Sequence, residues 1–248
     1  MKKLDAHIHL GWDYVFDEGQ TEEDIITLFD RVGITGGVVQ PFVERPYMDR
    51  YRALHDRIKA MCDANPGRFW GMASLSPHMD PLEYEKEVVR CVKELNFVSV
   101  KITPIAHACN PGCKDAYHVY EIARGLNIPV MIHTGNGIPF ADPAQLRKPV
   151  KDFPDVNFVI AHCGLDTFSQ QAIQLGEEFD NVFLEPSWVS TVTLNNIRNR
   201  CGASKVMFSS DTLNNTEPEL TKYACVFKDP EECEQVYHRT AEQVFKLK

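Results

Sequence analysis

Short apolar segments rich in Val, Ile and Phe recur along the chain and alternate with longer amphipathic segments. This alternation is typical of repeated βα units, in which helices cover parallel strands. Eight such units in 248 residues fit a closed (β/α)8 TIM barrel, so we expect one domain over residues 1–248. The predicted strands lie near residues 4–9, 34–40, 69–75, 98–102, 129–133, 157–162, 182–186 and 205–210.

The end of the first predicted strand argues against an open, doubly wound sheet. A dinucleotide-binding sheet carries a G-x-G-x-x-G loop at this point, whereas this chain continues His9-Leu-Gly-Trp12. The closed barrel is therefore the favoured architecture.

Asp-Pro pairs mark the predicted helix starts. Asp is a favourable N-cap, and Pro at the first helical position loses no hydrogen bond. The pairs are Asp80-Pro81, Asp142-Pro143 and Asp229-Pro230.

Potential metal ligands stand at the ends of apolar segments. His7 and His9 are two residues apart on the first predicted strand, so their side chains share one face. His133, His162 and Asp211 end three later segments. Because the carboxyl ends of barrel strands meet at one mouth, we expect all five side chains to converge there. Imidazoles and a carboxylate suit Zn, Mn, Fe or Ni, and an open coordination position would hold a reactive water.

The acidic composition points to a small-molecule substrate. The formal net charge is -9, which disfavours nucleic acid, because nucleic-acid surfaces need clustered Lys and Arg. Asp5, His7 and His9 interrupt any signal peptide after Met1-Lys-Lys3, and no segment approaches the roughly 20 apolar residues of a membrane span. We therefore expect a cytoplasmic protein with no membrane partner.

The eight cysteines are scattered, so we expect reduced thiols. Cys109 and Cys113 form the one close pair, with His107 nearby. A zinc site there lacks a second pair of ligands, and an ordinary loop is the favoured interpretation.

Five motifs taken in order resemble the amidohydrolase superfamily, most closely its amidohydrolase-related branch of aminocarboxymuconate semialdehyde decarboxylase-like proteins and lactonases. The resemblance implies that His7, His9, His133 and Asp211 bind one divalent metal, commonly zinc. It implies that His162 acts beside them as acid/base and orienting residue. The motifs are Asp5-Ala-His-Ile-His-Leu10, Val100-Lys-Ile-Thr-Pro104, Pro129-Val-Met-Ile-His-Thr-Gly135, Ile160-Ala-His-Cys-Gly164 and Ser209-Ser-Asp-Thr212.

Lys101 ends the fourth predicted strand, where some amidohydrolases carry a carbamylated lysine that bridges two metals. The related branch commonly has Lys-x-His-Pro there, and Thr103 replaces that His in this chain. We expect a single metal, with Lys101 as an unmodified cation near the site. A structural ion pair is the alternative role for Lys101.

Other residues are candidates for binding the substrate. Arg45, in the loop after the second strand, could clamp a carboxylate, or it could be a solvated loop charge. Trp188 follows the seventh strand and could stack on a flat substrate, or it could pack against a loop. His78 and His107 follow the third and fourth strands and are weaker candidates.

The leading functional hypothesis is a metal-dependent hydrolase that uses activated water on an amide, lactone or similar bond of a small, anionic substrate. A non-oxidative decarboxylase (a lyase) of an unsaturated or aromatic acid is the alternative. A TatD-like deoxyribonuclease ranks lower, since that group expects a glutamate where Lys101 stands. A non-enzymatic barrel is disfavoured, because structural zinc sites are usually closed by four protein ligands. A homodimer is expected from the family alone.

Overall fold

The computed structural model describes residues 1–14 and 17–247. One curled sheet forms its centre, with strand order β2-β1-β3-β4-β5-β6-β7-β8. All neighbours are parallel except β2, which pairs antiparallel with β1 as a hairpin. The strands are β1 (Leu4–Asp13), β2 (Glu18–Gln20), β3 (Gly36–Pro41), β4 (Phe69–Ser74), β5 (Ser99–Ile102), β6 (Val130–His133), β7 (Phe158–Ala161) and β8 (Val182–Glu185).

The prediction of a strand at 205–210 was wrong in detail. This segment makes only single bridges, Leu184 with Val206 and Ile8 with Asp211. It still lies between β8 and β1, because the Met207 amide donates to the Leu184 carbonyl at 3.1 Å. The segment therefore takes the place of the eighth strand and closes the barrel.

Polar side chains explain why no continuous strand forms there. The Ser210 amide donates to the Asp5 carboxylate at 3.2 Å, and the Ser210 hydroxyl donates to the same group. The Ser209 hydroxyl donates to Glu185. Such side-chain bonds compete with a backbone ladder.

The helices cover the outside of the sheet, and the Asp-Pro signals are confirmed. The Asp80 carboxylate accepts from the amides of Leu82 and Glu83. Asp229 caps its helix in the same way, and Asp142 caps a 3-10 helix, Pro143–Leu146. No helix in the described part of the chain has the length and hydropathy of a membrane span. The α-helices are α1 (Glu22–Val32), α2 (Met48–Ala64), α3 (Pro81–Lys93), α4 (Pro104–His107), α5 (Lys114–Leu126), α6 (Arg147–Asp152), α7 (Ser169–Glu178), α8 (Thr191–Cys201), α9 (Thr216–Val226), α10 (Pro230–Glu234) and α11 (Thr240–Phe245).

The residues inside the barrel form an apolar layer and a polar layer. The apolar layer packs against three residues of α11, which closes the amino-terminal end of the barrel. In most of the strands that contribute to the apolar layer, a polar side chain lies two residues after the apolar one and faces the same way. The polar layer therefore lies at the carboxyl ends of the strands. The apolar layer comprises Ala6, Val38, Met72, Met131, Val159, Phe183 and Met207. The polar layer includes Gln40, Ser74, Lys101, His133, Glu185 and Ser209.

A register shift in β1 turns its histidines toward the polar layer. Asp5 pairs with Gly37 and Ile8 with Val39, so β1 has one more residue than β3 in this interval. Ala6 belongs to the inner apolar cluster and Ile8 to the outer one. After this bulge, His7 and His9 alternate with the outward-facing Ile8. Bulges commonly re-aim side chains beside active sites.

A buried ion network joins α2 to α3 outside the barrel. Glu87 accepts from His55 at 2.8 Å and from Arg52 at 3.0 Å, and it also pairs with Arg90. Burial raises the pKa of Glu87, but the hydrogen bonds from His55 and Arg90 outweigh it and lower the pKa to about 2. The network therefore stabilises the fold while Glu87 is ionised.

Glu87→Gln is expected to lower the free energy of unfolding by about 3 kcal/mol near neutral pH, because it removes the buried anion that pairs with Arg52 and Arg90. A depressed pKa in the folded state contributes stability above the ordinary value of 4.5, and this contribution is lost as the pH falls toward 2. Urea unfolding should show that the difference in free energy of unfolding between Glu87→Gln and the unchanged protein becomes smaller as the pH falls through this range. Glu85→Gln, at an exposed position of α3, is the matched control and should change little. A deficit that does not vary with pH would contradict this assignment.

Candidate metal centre at the barrel mouth

Three side-chain atoms meet where β1 and the closing segment end. His7 Nε2 lies 3.2 Å from His9 Nε2 and 3.0 Å from Asp211 Oδ1. His9 Nε2 lies 3.2 Å from the same oxygen. Ligands of a tetrahedral zinc, each about 2.0 Å from the metal, stand about 3.3 Å apart. The three atoms therefore fit around one divalent ion with little movement.

Hydrogen bonds set the proton positions on both imidazoles. His7 Nδ1–H donates to the Glu185 carboxylate at 2.8 Å, and His9 Nδ1–H donates to the Pro41 carbonyl at 2.9 Å. Both partners only accept, so each Nε2 presents a lone pair. In this structure the Lys101 ammonium meets the His7 lone pair at 2.6 Å and the Gln40 side-chain amide meets the His9 lone pair at 3.2 Å; a divalent cation would take the place of both donors. This donor set, with each imidazole oriented from behind, suits a metal.

Asp211 is a carboxylate in this site. Burial raises its pKa, but the positive charge that His162 and His7 carry when protonated outweighs burial and holds the pKa well below its usual range. Its second oxygen accepts from the Trp188 indole at 2.8 Å. Trp188 has a left-handed φ of 66°, and its amide donates to Glu219 at 2.8 Å. Glu219 thus positions Trp188, which in turn orients Asp211.

His162 and His133 lie beside this cluster. The His162 ring centroid is 5.2 Å from that of His7 and 4.8 Å from that of His133. Burial lowers the pKa of His162 to about 4, so its ring is neutral near pH 7, and Nδ1 lies 2.7 Å from the Ser187 hydroxyl. Among the described residues, the compact metal-capable groups include His162 but not His133. His133 as a metal ligand therefore stays a prediction.

Lys101 brings a positive charge into the centre. Its side chain is buried, and Nζ lies 2.6 Å from His7 Nε2. Burial lowers the pKa of Lys101 to about 8, although Asp211 and Glu185 oppose this shift. The ammonium donates to the same lone pair that a metal would use, so metal binding at His7 requires Lys101 to turn toward another acceptor. Lys101 therefore lies against a candidate metal ligand, and its part in binding the substrate stays a prediction.

Glu185 has a role that sequence analysis missed. It is fully buried and binds His7 Nδ1, the Ser209 hydroxyl and the Ser187 amide, the last at 2.8 Å. Burial raises its pKa, but the bonds and charge of His7 outweigh burial and lower it to about 2. The signal was present, since Glu185 ends the apolar segment Val182-Phe-Leu-Glu185 as the histidines end theirs.

The remaining candidates divide between the centre and its surroundings. Trp188 is tied to Asp211 although its side chain is 45% exposed. Arg45 is exposed on the rim, with its guanidinium 4.7 Å from the Tyr14 ring centroid; within residues 1–14 and 17–247 its contacts do not join it to the metal-ligand candidates. Cys109 and Cys113 have sulfurs 3.8 Å apart but belong to none of the metal-capable groups of the described chain. All eight cysteines are free.

The amidohydrolase family model matches residues 4–247. The chain belongs to the amidohydrolase family. The resemblance predicted from the five motifs is thereby confirmed, and the fold agrees with it.

Similar proteins perform several related reactions. The chain is 29% identical to 2-keto-4-carboxy-3-hexenedioate hydratase of a Sphingobium species over 136 aligned residues. The aligned region covers 46% of this amidohydrolase and 40% of the relative. It thus covers less than half the length of that curated relative. A dihydroxybenzoic acid decarboxylase from Polaromonas sp. JS666, with bound manganese and 2-nitroresorcinol, has 16% identity and a TM-score of 0.80, over 99% of this chain and 97% of that one. For 4-oxalomesaconate hydratase from Rhodopseudomonas palustris the identity is 18% and the TM-score 0.74, over 98% and 95%. At these identities the structures demonstrate a shared fold.

Proposed function

We propose that this amidohydrolase is a divalent-metal-dependent hydrolase that cleaves an amide, lactone or similar bond of a small, anionic substrate with water. The observation that carries the proposal is the close approach of His7 Nε2, His9 Nε2 and Asp211 Oδ1 at the barrel mouth, within 3.0 to 3.2 Å of one another. These residues, with His133 as a further ligand, would hold the metal. When bound, the metal polarises a substrate carbonyl and lowers the pKa of water.

The protein groups around the metal residues handle protons. Asp211, ionised at neutral pH, accepts a proton from the attacking water. His162 is neutral; with its Nδ1–H donating to the Ser187 hydroxyl, its Nε2 lone pair would take the proton that Asp211 removed from water and pass it to the leaving group. The Trp188 indole keeps the Asp211 carboxylate oriented throughout.

Charge near the site supports an anionic substrate. Lys101 places a buried ammonium in the mouth, and Arg45 adds an exposed guanidinium on the rim. The three relatives above are also named for carboxylic acids. We further propose a single zinc per chain, with a cytoplasmic, single-domain homodimer as the working form.

A non-oxidative decarboxylase is the second candidate. The near-complete structural overlap with the Polaromonas decarboxylase favours it. In that reaction Asp211 and His162 would deliver a proton to the substrate carbon before carbon dioxide leaves. The same ligands serve both reactions, because chemistry on a shared scaffold depends on the loops around the site.

Metal analysis and product analysis together test the proposal. We expect purified protein to contain about one equivalent of zinc or another divalent metal per chain, in keeping with a single three- to four-ligand site. A panel should then be assayed for acidification from lactones, for amine release from amides and for carbon dioxide from unsaturated or aromatic acids. Acidification or amine release without carbon dioxide supports the hydrolase, and carbon dioxide release supports the decarboxylase. Protein that takes up no metal and turns over no member of the panel contradicts both.

A further inference from the structure

His107 is a buried histidine at the barrel mouth that the chemistry above does not use. It ends α4, the short helix that follows β5, the strand carrying Lys101. The residue is 7% exposed, and α4 packs against β6, whose last residue is His133. Loops and short helices after barrel strands are the places from which substrate contacts come.

The proton on His107 is placed by a backbone contact. The Thr103 amide donates to His107 Nδ1 at 3.4 Å, so Nδ1 presents its lone pair and a neutral ring carries its proton on Nε2. Burial, with the nearby charge of Lys101, lowers the pKa of His107 to about 4. The ring is therefore a neutral N–H donor at neutral pH.

Nε2–H of His107 has no hydrogen-bond partner among the described residues. A buried donor without an acceptor destabilises a fold, so such a group calls for an explanation. His78 on the same side is the instructive contrast, because its nitrogens contact Asp115 and the Ala108 carbonyl at 2.5 and 3.3 Å. His107 alone of these two histidines retains a free donor.

We propose that His107 Nε2–H and the Lys101 ammonium form a subsite that binds a carboxylate group of the substrate. The inference rests on the proposed function and gives it a substrate class. A carboxylate offers two acceptor oxygens and one negative charge, which match one neutral N–H and one cation. His107 would be a substrate-binding and specificity residue, with no part in proton transfer.

Acetate is the probe, and NMR of zinc-loaded protein with [15N]histidine is the measurement. We expect His107 to carry its proton on Nε2, and acetate to shift that N–H resonance saturably. His107→Phe should weaken acetate binding about tenfold or more, the effect of losing a hydrogen bond to a charged group. His107→Gln keeps an N–H donor and should retain most of the affinity. His78→Gln is the matched control and should bind acetate as the unchanged protein does.

Three outcomes would overturn the subsite. These are a proton on Nδ1 of His107, a His107 N–H resonance that does not shift when acetate is added, and a folded His107→Phe variant whose affinity for acetate is unchanged. If His107→Phe does not fold, the titrations of the unchanged protein and of His107→Gln decide the matter. The subsite and the proposed reaction can fail separately, since acetate binding needs no turnover. Saturable shifts of the His107 resonance without turnover of any panel member would uphold the subsite and reject the reaction. Turnover of a panel member with no acetate-dependent shift at His107 would uphold the reaction and reject the subsite.

Discussion

Asp211→Asn is expected to lower kcat by about a thousandfold or more while the protein still unfolds cooperatively. Asn keeps the shape of the side chain but removes the negative charge that faces His7 and His9 at 3.0 and 3.2 Å. The variant should therefore bind metal weakly and be unable to take a proton from water. The measurements are kcat on an identified substrate, metal content per chain and thermal unfolding.

Trp188→Phe is the matched control for this prediction. It removes the indole N–H that lies 2.8 Å from Asp211 but leaves the carboxylate and its charge in place. A loss of about tenfold in kcat is expected, in line with one hydrogen bond to a charged acceptor. Unchanged turnover in Asp211→Asn would remove this residue from its proposed role, whatever Trp188→Phe does.

Glu185→Gln should weaken metal binding by about 10- to 100-fold, the usual consequence of altering the partner behind a metal-binding histidine. The amide can still accept from His7 Nδ1–H, but it loses the charge that makes Nε2 a strong donor to a metal. Glu185 uses one oxygen for His7 and the other for Ser209 and the Ser187 amide, whereas Gln has a single acceptor oxygen for both sides. Competition with a chromophoric chelator measures the dissociation constant.

Glu44→Gln offers a comparison on the rim. Glu44 lies in the loop after β3 and contacts the Arg45 amide rather than a candidate ligand, so its substitution should leave metal affinity unchanged. Equal affinity in Glu185→Gln and the unchanged protein would show that Glu185 is a structural anion only.

Most of the fold could be predicted from local patterns. Seven of the eight predicted strands form, because runs such as Val130-Met-Ile-His133 have no amphipathic alternative to a strand buried on both faces. The helix starts at Asp80 and Asp229 follow from local capping. The eighth segment failed because Ser209 and Ser210 bond to side chains more than 20 residues away, which no local pattern reveals.

The candidate site divides in a similar way. The i, i+2 spacing of His7 and His9 predicted a shared face, and their nitrogens do meet. The spacing does not predict the bulge in β1 that turns this face toward the inside of the barrel. The sequence pattern also does not predict that Trp188 contacts Asp211, because this contact depends on a left-handed backbone at Trp188, whose amide donates to Glu219.

The sequence by itself determined the repeated βα architecture, the family and the residue types at the strand ends, because these depend on hydrophobic periodicity and on neighbours along the chain. Barrel closure decided the rest. It selected which imidazole nitrogen presents a lone pair, placed the Lys101 ammonium against His7, and left the N–H of His107 without a hydrogen-bond partner among the residues that the structure describes. Proton positions and charge pairing depend on separations of about 3 Å between groups far apart in sequence, and only packing in three dimensions sets such separations.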